Sequence, residues 1–159
     1  MVIGLKDAQD VRSVVQVAVT RHGASEENLV AILSEINEKL GYLPREALVE
    51  VGQLLRKPTS QILSVASFYE MLSTEPRGRH VLQFCESAPC HVVGGRQVWH
   101  MLQDELGLEP GETSEDGRWT LVTSSCLGIC GVGPVIIIDD DIYGNVAPER
   151  VPEILARYV

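Results

Sequence analysis

The four cysteines of this 159-residue chain constrain its fold more than any other feature. They form two close pairs, Cys85 with Cys90 and Cys126 with Cys130, and residues 91–125 separate one pair from the other. Four thiolates gathered at one point suit an iron–sulfur cluster or a structural zinc ion. A fold that uses them together must bring two distant segments to the same place.

The overall composition is that of an ordinary globular protein. Apolar residues make up 45% of the chain, and no apolar run approaches the roughly 20 residues of a membrane-spanning helix. Residues 1–7 lack the layout of a signal peptide. We therefore expect a cytoplasmic protein without direct membrane insertion, in a compartment where thiols stay reduced and ligate metals. The formal charge of −9 and the scattered basic residues predict no nucleic-acid partner.

Apolar periodicity predicts helices over residues 7–72. Ser25 is the expected N-cap of the second helix and Gly41 its expected stop, while Thr59 and Ser60 are expected to cap the fourth. Phe68 and Tyr69 fall on the fourth helix, most simply as core residues, with contact to a partner subunit as the alternative. The apolar stripes of the first two helices are Val11, Val14, Val15 and Ala18, then Leu29, Ile32, Leu33, Ile36 and Leu40.

The turn-rich segment 74–78 predicts a boundary between a helical region, 1–73, and a second domain, 74–159. In the second domain the pattern is strand, helix, strand, then a hairpin and a last helix. Trp99 and Trp119 are expected in its core. The predicted elements are strands at 80–84, 119–123, 135–138 and 142–146, a helix at 95–106, a turn at 139–141 and a helix from Pro148.

Each cysteine pair follows the carboxyl end of a predicted strand. If the two strands are neighbours, their loops converge and the four sulfurs meet. Gly128, Gly131 and Gly133 surround the second pair and would let backbone N–H groups approach the sulfurs. Neither pair matches the C-x-x-C signature of a redox dithiol. Spacing alone leaves an iron–sulfur cluster and a structural zinc ion both open.

A series of landmarks along the chain resembles a known family. In this order they are similar to the thioredoxin-like 2Fe–2S subunit family, which includes the NuoE-type subunit of respiratory complex I and the small subunits of NAD-linked hydrogenases and formate dehydrogenases. The resemblance extends from about residue 25 to the C-terminus. The landmarks are Gly-Tyr-Leu-Pro at 41–44, Phe-Tyr at 68–69, Cys-x4-Cys-His at 85–91, Gly-Leu at 107–108, Gly-Glu-Thr at 111–113, Asp-Gly at 116–117, Cys-Leu-Gly-x-Cys-Gly at 126–131 and Pro-Val at 134–135.

The resemblance implies an α+β fold, in which an N-terminal helical bundle precedes a thioredoxin-like α/β domain that binds one 2Fe–2S cluster. It implies that the four ligands are Cys85, Cys90, Cys126 and Cys130. His91, next to a ligand, is then expected to have a structural or hydrogen-bonding role. No nucleotide-binding motif and no catalytic residue is visible in the sequence.

The implied function is that of a non-catalytic electron-transfer subunit of an NAD(P)H-linked flavin and iron–sulfur oxidoreductase complex. The implied partners are a larger flavoprotein subunit, with FMN, an NAD(H) site and its own iron–sulfur cluster, and further iron–sulfur subunits. Residues 1–73 are the expected docking region. The alternatives are a structural or assembly module whose cluster lies off the main electron path, and a zinc-stapled adaptor.

Overall fold

The computed structural model describes residues 8–158. These residues form two compact units that divide between Pro76 and Arg77. Within the described residues, no helix combines the length and the apolar character needed to cross a membrane.

The first unit is helical, as the periodicity predicts. Helix α1 packs against α2 and α3, and α4 packs against α2 and α3. The predicted stripes of α1 and α2 face the core, where Val15, Ile32 and Ile36 are fully buried. The helices are α1 (Ala8–His22), α2 (Leu29–Leu40), α3 (Arg45–Leu55) and α4 (Thr59–Phe68), with a 3₁₀ turn at Glu26–Asn28 before α2.

The ends of these helices partly differ from the prediction. Gly41 terminates α2 as expected, because its φ of +84° is a left-handed conformation that glycine adopts without strain. Ser25 precedes the 3₁₀ turn instead of α2 and makes no side-chain cap. Pro58 takes the N-cap position of α4, so Thr59 is its first residue.

The expectation that Phe68 and Tyr69 are core residues is wrong. Phe68 is 79% exposed and Tyr69 is 38% exposed. The buried positions of α4 are Ile62 and Ala66, and Phe68 lies about 200° around the helix from Ala66. The helix then ends, because Tyr69 has an extended ψ of 111°.

The second unit contains a four-stranded mixed sheet in the order β2-β1-β3-β4. Strands β1 and β2 are parallel and are joined through a helical crossover, whereas β3 pairs antiparallel with both β1 and β4. The elements are β1 (His80–Cys85), the single helical turn α5 (Ala88–Cys90), α6 (Arg96–Leu106), β2 (Trp119–Ser124), β3 (Ile136–Ile138), β4 (Asp141–Tyr143) and α7 (Val151–Leu155).

The core of this unit lies between the sheet and helices α6 and α7. Trp119 is buried and Trp99 packs against the same cluster, so both are core aromatics as predicted. The turn between β3 and β4 is held to β1 by Asp139, whose carboxylate accepts a hydrogen bond from the backbone N–H of Val81 at 2.9 Å and bonds the His80 ring at 2.7 Å. The sequence did not predict the segment 88–95, a helical stretch interrupted by non-helical backbone at Val93 and Gly94, which connects the first cysteine pair to α6.

Candidate metal centre

The two cysteine-bearing loops leave the same end of two adjacent parallel strands. Cys85 is the last residue of β1 and lies opposite Ser124, the last residue of β2. Cys126 follows two residues later. The backbone N–H of Glu86 donates to the Ser124 carbonyl at 2.9 Å. The predicted convergence of the two loops is therefore confirmed, and it follows from the parallel pairing of β1 with β2.

The structure brings the sulfurs together as two pairs. The sulfurs of Cys126 and Cys130 are 4.0 Å apart, and the thiols of Cys85 and Cys90 interact so that the pKa of Cys85 is lowered and that of Cys90 is raised. Charge interactions also connect Cys130 with Cys85 and with Cys90. Across residues 8–158, no group of three or more His, Cys, Asp or Glu side chains is arranged to hold a metal ion.

The two pairs differ in their access to solvent. Cys85 is 2% exposed and Cys90 is 1% exposed, and both pack with the fully buried Val135. Cys126 and Cys130 are exposed. A group bound between the pairs would have one buried side and one side at the surface.

Backbone N–H groups near the sulfurs favour their charged form. The N–H groups of Ser87 and Leu127, one from each loop, act in this way on Cys85 and lower its pKa. The N–H of Val135 favours ionisation of Cys90, although the pKa of Cys90 is raised overall. Gly128 donates to Cys126 over 3.4 Å, and the φ of +78° at Gly128 is in the left-handed region that favours glycine. Such bonds stabilise thiolate ligands and tune an iron–sulfur site.

These contacts give each pair one readily ionised thiol. Burial opposes ionisation of Cys85, but its hydrogen bonds outweigh burial and lower its pKa. The N–H of Gly128, with the hydroxyl of Ser87, lowers the pKa of Cys126. Burial and the neighbouring Cys85 raise the pKa of Cys90. The pKa of Cys130 is raised because its thiol donates to Cys126 and faces the charge there.

Two glycines allow the chain to pack tightly around Cys90. A Cβ atom on Gly95 would lie 2.6 Å from the carbonyl oxygen of Cys90, and one on Gly133 would lie 3.3 Å from its sulfur. Gly133 was singled out from the sequence by its position beside the second pair, whereas Gly95 was missed. Glycine at the start of an otherwise regular helical pattern was the available signal.

The donor set fits an iron–sulfur cluster. A 2Fe–2S cluster takes four cysteine thiolates, two on each iron, and the chain supplies two sulfur pairs with N–H donors. His91, which adjoins Cys90, packs its ring edge-on against Phe84 at 6.2 Å between centroids. Its backbone N–H donates to the Ser87 carbonyl at 3.1 Å.

Comparison with known proteins identifies related chains. The family model described as thioredoxin-like [2Fe-2S] ferredoxin matches residues 15–159. An NADH-quinone oxidoreductase subunit of Salmonella typhimurium is 36% identical over 129 residues, which are 81% of this chain and 78% of that protein. The HndA subunit of the NADP-reducing hydrogenase of Solidesulfovibrio fructosivorans is 33% identical, over 84% of this chain and 78% of that one.

A solved structure has the same fold. The crystal structure of an NAD+-reducing [NiFe]-hydrogenase in the air-oxidized state superposes with a TM-score of 0.71 at 21% identity, over 82% of this chain. The matched region is 22% of the hydrogenase chain, so this chain corresponds to a minor part of that protein.

Proposed function

Because the chain belongs to the thioredoxin-like 2Fe–2S ferredoxin family, we propose that it is a non-catalytic electron-transfer subunit of an NAD(P)H-linked flavin and iron–sulfur oxidoreductase. The observation that carries the proposal is the convergence of the two cysteine-bearing loops at the ends of β1 and β2, with the backbone N–H of Gly128 donating to the sulfur of Cys126. The relatives named as subunits of an NADH-quinone oxidoreductase and of an NADP-reducing hydrogenase support the reaction class.

The cofactor of this family is a 2Fe–2S cluster, and Cys85, Cys90, Cys126 and Cys130 are its proposed ligands here. When bound, the cluster supplies a one-electron acceptor and donor. The protein's part is to hold the four thiolates, to exclude water behind Cys85 and Cys90, and to direct N–H donors at the sulfurs. These donors offset negative charge on the ligands and so set the reduction potential.

The exposed side of the site is the proposed point of electron exchange. Cys126 and Cys130 lie at the surface. Val132, two residues after Cys130, is 40% exposed, and Val92 and Val93, which follow the Cys90 ligand candidate, are 87% and 55% exposed. Apolar side chains at this edge suit close approach of a protein partner, because contact there removes apolar surface from water.

The proposed partners are a larger flavoprotein subunit, with FMN, an NAD(H) site and an iron–sulfur cluster, and further iron–sulfur subunits of the same complex. Residues 1–73 are the proposed docking region. Support comes from apolar side chains of the helical unit that remain in solvent, since Leu63 is 45% exposed and Phe68 is 79% exposed. We place the complex in the cytoplasm or on the cytoplasmic side of a membrane, where thiols stay reduced for metal ligation.

Anaerobic purification of the native protein tests this function. Iron and acid-labile sulfide should each reach about two per chain, the number in one 2Fe–2S cluster. Reduction with dithionite should give the EPR signal of a single paramagnetic centre. Co-purifying chains should include a flavin-containing NAD(P)H-oxidising subunit. Stoichiometric zinc without iron, in a colourless protein, would refute the electron-transfer role and leave the zinc-stapled adaptor.

A further inference from the structure

Cys126 and Cys130, which we call the outer pair, form a close and accessible pair of thiols. Both residues are exposed and neither is in a disulfide. Their sulfurs are 4.0 Å apart, and a disulfide bond requires about 2.05 Å. A movement of about 2 Å would therefore be enough to join them.

The turn that connects the outer pair has room for this movement. Three residues separate the two cysteines. A Cβ atom added to Gly128 or to Gly131 would meet nothing within 4 Å, so open space adjoins the turn on both sides of Cys130. The backbone N–H of Gly128 donates to the sulfur of Cys126 at 3.4 Å, which is a contact within the turn itself. The sulfurs can therefore meet through a local adjustment that displaces no strand.

Cys85 and Cys90, the inner pair, lie in different surroundings. They are 2% and 1% exposed. The backbone N–H of Cys85 donates to the Val135 carbonyl at 3.2 Å, and a Cβ atom on Gly133 would lie 3.3 Å from the sulfur of Cys90. A dissolved reagent reaches these sulfurs only when the site opens. Access therefore separates the two pairs.

We propose that the outer pair is a reversible modification site for a small disulfide such as oxidised glutathione. In the cluster-free chain this oxidant converts Cys126 and Cys130 to an internal disulfide, which blocks cluster loading until a thiol reduces it. The block rests on the cysteine ligation proposed above, because a metal takes its sulfur ligands as thiolates and a disulfide has none. Formation of the disulfide does not depend on that ligation.

The reaction proceeds through two exchanges. The thiolate of one outer cysteine attacks a sulfur of oxidised glutathione, which gives a mixed disulfide and releases one glutathione. The other outer cysteine attacks the protein-side sulfur and releases the second glutathione, and the two protons of the protein thiols end on the two glutathiones. Two protein thiols are oxidised and one glutathione disulfide is reduced. Excess glutathione reverses both exchanges, so the disulfide accumulates only when oxidised glutathione rises.

Peptide mapping tests the modification. The full-length chain is freed of its cluster with a chelator, reduced, incubated with oxidised glutathione and then unfolded in N-ethylmaleimide. Trypsin cuts after arginine and lysine, so the inner pair lies in peptide 80–96 and the outer pair in peptide 119–150. The outer peptide should lose two hydrogen atoms and take no label, while the inner peptide takes two labels. We expect the outer peptide to oxidise at least about tenfold faster, because access governs attack on the oxidant.

Two variants define the pairing. Cys130→Ser should stop at a mixed disulfide between glutathione and Cys126, because no second outer thiol remains. Cys85→Ser should form the outer disulfide as the wild type does. Equal oxidation of the two wild-type peptides, a bond that links them, or glutathione retained on the outer pair would each overturn the proposal.

Cluster loading tests the consequence of the modification. The oxidised chain, incubated with iron and sulfide without a thiol, should take up less than about a tenth of the iron that the reduced chain binds, and dithiothreitol should restore loading to about two irons per chain. Equal loading of the oxidised and reduced chains would overturn the block. A reduced chain that takes up no iron and sulfide would instead refute the proposed function, whatever the peptide map shows.

Discussion

Replacing Gly95 by alanine tests how tightly the backbone is packed around Cys90. Gly95 has φ −58° and ψ −29°, an ordinary helical conformation, so the substitution removes a flexible residue without imposing backbone strain. The added Cβ would lie 2.6 Å from the carbonyl oxygen of Cys90, which is about 0.7 Å inside the ~3.3 Å at which carbon and carbonyl oxygen normally meet. The chain must shift at Cys90 to accept it.

The expected magnitude combines two opposing effects. Alanine is favoured over glycine in a helix by about 1 kcal/mol, and forcing an extra carbon into a packed site costs about 1–3 kcal/mol. The upper end of that cost applies, because the obstacle is backbone and cannot rotate away. The net loss of unfolding free energy is about 2 kcal/mol, which lowers Tm by about 4–8 °C in a chain of this size.

Thermal unfolding of the cluster-loaded protein and its iron content after desalting measure this effect. Gly131→Ala is the matched control, because it adds the same methyl group beside Cys130, where nothing lies within 4 Å of the new Cβ. It should change the unfolding free energy by less than about 0.5 kcal/mol. If Gly95→Ala and Gly131→Ala had the same Tm and the same iron content, the close packing of Gly95 against Cys90 would not affect stability or cluster retention.

Four further outcomes are expected. Cys85→Ala and Cys126→Ala should each lose the cluster and its visible absorbance, whereas an intact spectrum would point to a replacement ligand such as His91. In the cluster-free protein, iodoacetamide followed by peptide mass mapping should modify Cys126 at lower pH than Cys90, because Cys126 is exposed with a lowered pKa and Cys90 is buried with a raised one. Phe68→Ser should leave Tm unchanged but weaken co-purification of the flavoprotein, and unaltered binding would remove this residue from the docking surface. The fragment 74–159 should keep a red-brown cluster without retaining that partner, and a fragment that still bound it would place docking on the cluster domain.

The sequence by itself determined the local elements of this protein. The stripe of Ile32, Leu33 and Ile36 predicted the buried face of α2, because side-chain direction in a helix repeats every 3.6 residues wherever the helix lies. Gly41 predicted the end of that helix for an equally local reason. The positions of Cys85 and Cys126 near strand ends were also visible, since strand limits follow from residue type and turn signals.

The limits of that local information appear at α4. The sequence placed Phe68 and Tyr69 on an apolar face, but burial on a helix depends on which side the neighbouring helices cover. The neighbouring helices cover the side of α4 that carries Ile62 and Ala66, and Phe68 stays in solvent. The hydrophobicity of a residue does not show where the side chains that would bury it lie.

Only the tertiary structure decided how the two cysteine-bearing loops meet. The parallel pairing of β1 with β2 brings the Leu127 N–H near Cys85, 42 positions earlier in the chain, where it helps to lower the pKa of that thiol. The same pairing lets the Ser87 hydroxyl donate to the Ser125 carbonyl. The path of the chain after α5 brings Gly95 against the Cys90 carbonyl. Backbone donors carry no residue signature, because every residue except proline has the same N–H group. Which sulfur such a donor lies near depends on how distant segments meet, and that is a property of the folded chain.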